Sequence, residues 1–250
     1  MIALKLQKIY EITGKIELLT GLHIGSGNTE MHIGGVDNLV IKHPYFNEPY
    51  IPGSSLKGKI RSLLEYYMGL PTYSIKVDKE SGGITSYKLL DNNQNQNKIE
   101  VPDEITNCAR IIIKLFGLSG AGEKVAKEIG PTRVAFSDCF LTEKFKKEIN
   151  DKNLPYTEIK AENRINRITG TAEHPRFTER VPAGAEFNFR ITLKIYSDED
   201  EELLDILLKG MKLLELDYLG GCGSRGYGRI KFHFYNEDIK QKFEQIKLFD

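Results

Sequence analysis

Gly220-Gly221-Cys222-Gly223-Ser224-Arg225-Gly226-Tyr227-Gly228-Arg229 decides the fold through what stands on either side of it. Before it, Leu203, Leu204, Leu207, Leu208, Met211, Leu214 and Leu216 recur at helical spacing and predict a helix with a wide apolar face over residues 203–216. After it, Ile230, Phe232 and Phe234 alternate with Lys231 and His233, the two-residue period of a half-buried strand. A glycine loop of this kind lets the backbone approach a ligand closely, and its two arginines, with no acid among them, offer planar donors suited to phosphate oxygens. It reads either as a cradle for a polyanion or as a plain turn. It has no GxxxxGK[ST] motif, and it opens a strand where a dinucleotide fingerprint would open a helix, so generic nucleotide binding is demoted.

Toward the N-terminus, residues 187–196 and 132–141 read as strands, and 108–115 as a short helix. Residues 56–68 carry Leu56, Ile60, Leu63, Leu64 and Tyr67 at helical spacing, introduced by Pro52-Gly53-Ser54-Ser55, whose serines are candidates to cap the first turn. Residues 9–24 are β-branched and loosely alternating, a first strand that stops near Gly25-Ser26-Gly27-Asn28, with a further extended piece over 39–42. Two stretches break the pattern and read as insertions in a single domain of 1–250. Residues 70–130 form a lid that includes the polar run 91–97, and residues 150–184 hold a protruding hairpin, a thumb, pairing 159–169 with 177–181. What remains is strand, helix, strand, strand, helix, strand, the order of the ferredoxin-like motif: an α+β fold with an antiparallel sheet backed by two helices. That fold includes modules that lay single-stranded RNA on the sheet, which raises the expectation of RNA without settling it.

Composition does not announce a polyanion. The 250 residues include 35 basic and 35 acidic side chains, so any nucleic acid must be held by segregated patches. Three cysteines, Cys108, Cys139 and Cys222, are widely spaced and without a CxxC pair, which argues against a disulfide framework or closed zinc site and for a reducing, cytoplasmic setting. The first twenty residues are interrupted by charges and predict neither a signal peptide nor a membrane span.

Three segments concentrate positive charge. Lys57, Lys59 and Arg61 stand without an acid at the start of a helix, where they oppose the macrodipole unless an anion sits at the free N–H groups; a solvated basic face is the other reading. In the thumb, Lys160, Arg164, Arg167, Arg176 and Arg180 outnumber Glu162, Glu173 and Glu179, and Ile165, Ile168 and Phe177 are suited to wedge between bases, unless the hairpin is an ordinary surface element. The glycine loop adds Arg225 and Arg229. Catalytic signals are sparse: Asp37 follows Gly34-Gly35 near His23 and His32, and by spacing alone a lone loop aspartate is more readily a solvated one than a metal ligand.

On these same motifs the chain resembles the repeated RAMP backbone subunit of type III-A CRISPR effector complexes, the Csm complexes. The matching segments are Gly21-Leu22-His23-Ile24-Gly25, residues 33–37, Ile51-Pro52-Gly53-Ser54-Ser55-Leu56-Lys57-Gly58-Lys59, Glu162-Asn163-Arg164-Ile165-Asn166-Arg167, Glu179-Arg180-Val181-Pro182-Ala183-Gly184, and residues 218–229. The resemblance implies a subunit that stacks in several copies along CRISPR RNA, with a thumb that interrupts the guide–target duplex at regular intervals. It also implies an endoribonuclease that cuts complementary target RNA with a divalent metal, Mg2+ or Mn2+, through Asp37, which would bind the ion together with RNA oxygens or water. His23, Ser54, Ser55, Lys57, Lys59, Arg61, Arg164, Arg167, Gly223, Arg225, Gly226, Gly228 and Arg229 match positions along the RNA path. Expected partners are CRISPR RNA, target RNA, further copies of the chain and other Csm-complex subunits, with no membrane. The alternatives are a non-catalytic structural subunit, or a CRISPR RNA-processing endonuclease, which would want a general base such as a histidine near the glycine loop; only His233 is close in sequence.

Overall fold

A computed structural model describes residues 5–27, 38–90, 99–118 and 123–249. The chain opens with β1 (Lys8–Leu18), which turns Ile12, Ile16 and Leu18 inward, and passes through β2 (Tyr50–Ile51) into α1 (Gly53–Tyr67), where Leu56, Ile60 and Leu64 are fully buried. The insertion follows as α2 (Leu70–Val77), two short 3-10 turns, α3 (Asp103–Phe116) and α4 (Glu123–Ile129). Next come β3 (Val134–Phe136), β4 (Cys139–Phe140), α5 (Glu143–Asp151), and the thumb strands β5 (Glu158–Ile165) and β6 (Ala172–Arg180). The chain closes with β7 (Glu186–Ile195), α6 (Glu202–Leu216), β8 (Ile230–Phe234) and α7 (Glu237–Gln245).

The main sheet runs β3-β7-β1-β8, antiparallel at every pairing, so the expected six-element motif is present with β3, β7, β1 and β8 as its second, third, first and fourth strands. Its inner face joins Phe187, Phe189, Ile191, Ile230 and Phe232 to the buried stripes of α1 and α6 in one core. That core also takes in Ala109, Ile112 and Leu115 of α3, which ties the lid to the body by apolar burial. Among the described residues no helix is long and apolar enough to cross a membrane.

Several boundaries differ from the sequence reading, each for a local reason. The first strand ends at Leu18, short of Ile24, because the N–H groups of Leu19 and Thr20 turn to the carbonyl of Arg229 and Leu22 bridges Val181. The strand expected over 132–141 is two: β3 stays in the main sheet, while β4 pairs with β2 in a separate ribbon. Asp138, between them, turns its carboxylate to the N–H of Gly53 (2.8 Å) and so caps α1; the N-cap position is Pro52, and neither Ser54 nor Ser55 caps the helix. α3 starts at Asp103 after Pro102, five residues earlier than its apolar period suggested, with Asp103 and Glu104 in its first turn. α5 and α7 escaped the sequence reading, although Thr142 and Asn236 cap them through the N–H groups of Phe145 (3.2 Å) and Ile239 (3.1 Å). The run 91–97 lies outside the described residues.

The outer face of the sheet has an aromatic ring at its margin, Tyr235, which follows β8 and donates to Asn188 of β7 (3.2 Å). Strand alternation turns no Phe, Tyr or Trp of its four strands to that side. Its charges close on one another across strands, Arg190 on Glu11 (2.6 Å), His233 on Glu17 (2.7 Å) and Lys15 on Glu186 (3.3 Å). His233 is thereby accounted for as a cross-strand partner.

Candidate nucleic-acid interface

Three segments far apart in sequence are knitted together at one end of β1. The glycine loop is tied to the β1 exit by backbone bonds: Gly228 N–H to Gly21 C=O (2.9 Å), Gly221 N–H to His23 C=O (2.8 Å) and Arg229 N–H to Thr20 Oγ1 (3.0 Å). The exit segment is tied in turn to the thumb base, with Leu22 and Val181 exchanging backbone bonds and His23 Nδ1 lying 2.7 Å from the Glu179 carbonyl. A carbonyl only accepts, so Nδ1 carries the proton and Nε2 of neutral His23 is left as an acceptor. His23 therefore joins loop and thumb.

Tyr227 is the keystone. It is fully buried, Lys160 (4.6 Å) and Arg180 (4.9 Å) of the thumb lie over its ring, and its hydroxyl donates to Glu162 (3.3 Å). Burial, reinforced by the charge of Glu162, pushes the phenol above its ordinary range, so it remains a donor at neutral pH. Glu162 also faces Lys160 (3.4 Å) and Arg225 Nη1 (2.7 Å), while the other arm of Arg225 rests on Cys222 Sγ. Lys160, Arg164 and Arg176 of the thumb and Arg225 of the loop thus line one cavity of about 570 Å³. Glu162 is the single acid among the described residues that line it.

Beneath this joint, Glu179 holds the chain that follows Asp37. Its carboxylate accepts from Lys42 (2.6 Å), Thr157 (2.6 Å) and the N–H of Val40 (2.9 Å), and its own N–H donates to the carbonyl of Asn38 (3.0 Å). Burial pushes this carboxyl up, but those donors outweigh it and hold it below the ordinary glutamate range. With a depressed folded value, its contribution is complete above the unfolded value of about 4.3 and is lost as pH falls through the folded one. Glu179→Gln is expected to cost about 1–3 kcal/mol at neutral pH and to flatten the acid limb of stability. Thermal midpoints between pH 3 and 7 check this; an acid limb as steep as that of the parent would contradict it.

The other expected residues divide. Gly223, Gly226, Gly228, Arg225 and Arg229 all belong to the loop at this joint, with Arg164 facing Arg225 across the cavity. Arg229 is exposed and has no acidic partner among the described residues. Arg167 and Ile168, the latter 97% exposed, stand at the thumb tip, where Asn166 Oδ1 accepts from the N–H groups of Ile168 (2.9 Å) and Thr169 (3.2 Å). Lys59 reaches the loop indirectly: it pairs with Asp217 (2.7 Å) and lies over the ring of Tyr218 (3.9 Å), against which Gly223 packs. Ser54 and Ser55 sit in the first turn of α1, where Asp138 already holds one of the free N–H groups.

Arg61 is not brought to the joint. It pairs with Glu65 (2.9 Å), whose carboxylate also accepts from Thr85 (2.7 Å), and donates to Gly117 C=O (3.3 Å), so it fastens the lid. Lys57 has no acid beside it among the described residues, and burial, then the Arg61 charge, pushes its ammonium below the ordinary range. Asp37 lies outside the described residues. The residues that sequence reasoning left off the site, Glu162, Glu179, Arg180 and Tyr227, all fall inside the matched segments; the signal of Glu162, Glu179 and Tyr227 was an acid or aromatic kept beside arginines.

The chain thus combines a ferredoxin-like core, a glycine loop and thumb that form a cationic joint, and a charge-compensated sheet face. The chain belongs to the RAMP superfamily, whose family model matches residues 15–231, and it stands with the Csm3 proteins of that superfamily. It is 43% identical over 231 residues to the CRISPR system Cms endoribonuclease Csm3 of Methanocaldococcus jannaschii, covering 92% of this chain and 79% of the relative. To the protein of that name from Enterococcus italicus it is 41% identical, covering 88% of each. A solved Csm3-Csm4 subcomplex of the type III-A CRISPR-Cas interference complex matches it with a TM-score of 0.51 and 32% identity, over 92% of this chain and 78% of the solved one.

Proposed function

We propose that this protein is a CRISPR RNA-binding backbone subunit of a type III-A effector complex: copies stack along the guide RNA, and each cleaves complementary target RNA, so that cuts recur at regular intervals in antiviral defence. Its partners are then CRISPR RNA, target RNA, further copies and other Csm-complex subunits, in the cytoplasm. The observation that carries the reading is the joint itself, where the thumb strands and the glycine loop bring Arg164, Arg176 and Arg225 to one cavity in a chain 43% identical to a named Csm3 endoribonuclease.

In this reading Arg164, Arg225 and Arg229 hold phosphates, and the thumb tip with Ile168 enters the base stack. Holding the backbone on both sides of one ribose would align its 2′-oxygen with the adjacent phosphorus, so that the 5′-oxygen departs and a 2′,3′-cyclic phosphate remains. The reading includes a divalent metal, Mg2+ or Mn2+, which would supply charge stabilisation to that transfer. Among the described residues no three His, Cys, Asp or Glu side chains are grouped to hold one, so these residues do not make a protein-built metal centre. Asp37 is the one protein ligand proposed, with RNA oxygens or water completing the shell.

The purified chain incubated with guide precursor, and then with guide plus complementary target, each with and without magnesium, tests the proposal. Target cutting that needs both the assembled state and the metal is expected; precursor cutting by the lone chain would replace this reading with that of a processing enzyme. Arg229→Ala is expected to weaken RNA binding equally across unrelated sequences and to reduce the slope of log K against log salt by about 0.7, the value of one phosphate contact on a single strand. A sequence-selective loss in titrations at several salt concentrations would contradict it.

A further inference from the structure

Asn163 of β5 and His174 of β6 also line the cationic cavity, at the irregularity between the two thumb strands. The pairing of β5 with β6 passes from Glu162 opposite Arg176 to Arg164 opposite Glu173, so His174 and Pro175 together stand against Asn163 alone. This is a bulge of one extra residue, a device that re-aims a side chain. His174 adopts a φ of +49°, the left-handed region, and it does so immediately before a proline. His174 lines a cavity whose other lining residues are cations, Asn163 and Glu162. Among the described residues lining that cavity, His174 has the only ring.

We infer that the cavity is a one-nucleotide pocket for single-stranded RNA, in which Arg164, Arg176 and Arg225 hold the phosphate and the His174 ring stacks on the base. The inference rests on the RNA-binding reading above and adds to it the contact that a phosphate grip lacks. The cations supply charge without regard to sequence, whereas a base needs a flat apolar partner, and stacking on one is tolerant of base identity. The bulge explains why a histidine stands at a left-handed position: the conformation is the means by which a ring on β6 reaches the same cavity as Arg176, two residues further on.

The test uses the full chain and short single-stranded oligo(A), with three substitutions at one position. His174→Gly keeps the left-handed backbone without a ring, His174→Asn keeps it with a small polar side chain, and His174→Phe restores a ring. Gly and Asn variants are both expected to bind oligo(A) about ten-fold more weakly, with Phe recovering most of the loss. The salt slope of the Gly variant should match that of the parent, while Arg176→Ala lowers it by about 0.7. Parent-like affinity in the Gly or Asn variant would overturn the stacking role, as would a salt slope that falls in the Gly variant. If Arg176→Ala and Arg229→Ala weaken binding but His174→Gly does not, the pocket inference alone fails; if none does, the RNA-binding reading fails with it.

Discussion

Asp37→Ala is expected to leave complex assembly and target binding intact and to slow target cleavage by at least about 100-fold, the usual cost of removing one group that stabilises charge in a transition state. In the proposed reading the grip comes from the glycine loop and the thumb, which are fastened to each other by bonds among the described residues. The chain on the C-terminal side of Asp37 is fixed independently, with Asn38 bonded at Glu179, Val40 N–H on the Glu179 carboxylate, and Ile41 N–H on Ile24 C=O (2.8 Å). Removing a negative charge from a site meant for a polyanion gives no reason for weaker binding. Single-turnover cleavage measured beside target affinity in the reconstituted complex checks this, and undiminished cutting would remove Asp37 from the mechanism.

The largest expected effect on stability lies at Gly228. Its φ of +73° is unfavourable for any other residue, and an added Cβ would lie 2.0 Å from the carbonyl oxygen of Leu219. Backbone bonds lock both residues: Leu219 N–H donates to Gly228 C=O (2.8 Å) while Gly228 N–H donates to Gly21 C=O. No flexible side chain can swing away to make room. Gly228→Ala is therefore expected to cost about 3–5 kcal/mol, with a fall in thermal midpoint of roughly 10 °C, and to loosen the loop from the β1 exit. Gly226 is the control: its φ of +84° is equally left-handed, but open space surrounds it, so Gly226→Ala should cost only about 1–2 kcal/mol. Equal thermal midpoints for the two variants would show that the loop is not packed as described.

The fold was legible wherever apolar period and burial agree. The leucines of α6 and the alternation of β8 placed the last unit, and the order of elements followed from them. What misled was chain that leaves the sheet to serve another element. The stretch 19–24 looks like strand because Leu22 and Ile24 are apolar, yet its hydrogen bonds go to the glycine loop, to the thumb and, at Ile24 C=O, to Ile41 N–H. The 132–141 strand looked continuous because Ser137-Asp138 is a short interruption, and its purpose, capping α1 from a distance, has no local signature. The cations of the site were legible as residues but not as partners. Lys59 and Arg61 are two apart in one helix, and only the fold shows that one reaches Tyr218 and the other the lid. Glu162 was read as a subtraction from the positive charge of the thumb, whereas it is the carboxylate on which Arg225, Lys160 and Tyr227 converge.

In the proposed reading RNA is held at the edge joint and not on the sheet. Hydrogen–deuterium exchange of the full chain with and without a guide-length single-stranded RNA tests it most directly. Protection is predicted in residues 19–23, 158–180 and 220–229, with the N–H groups of β1, β7 and β8 unchanged beyond their sheet protection. Protection concentrated on the outer face, around Glu11, Arg190 and Lys231, with the glycine loop and thumb exchanging as before, would contradict it.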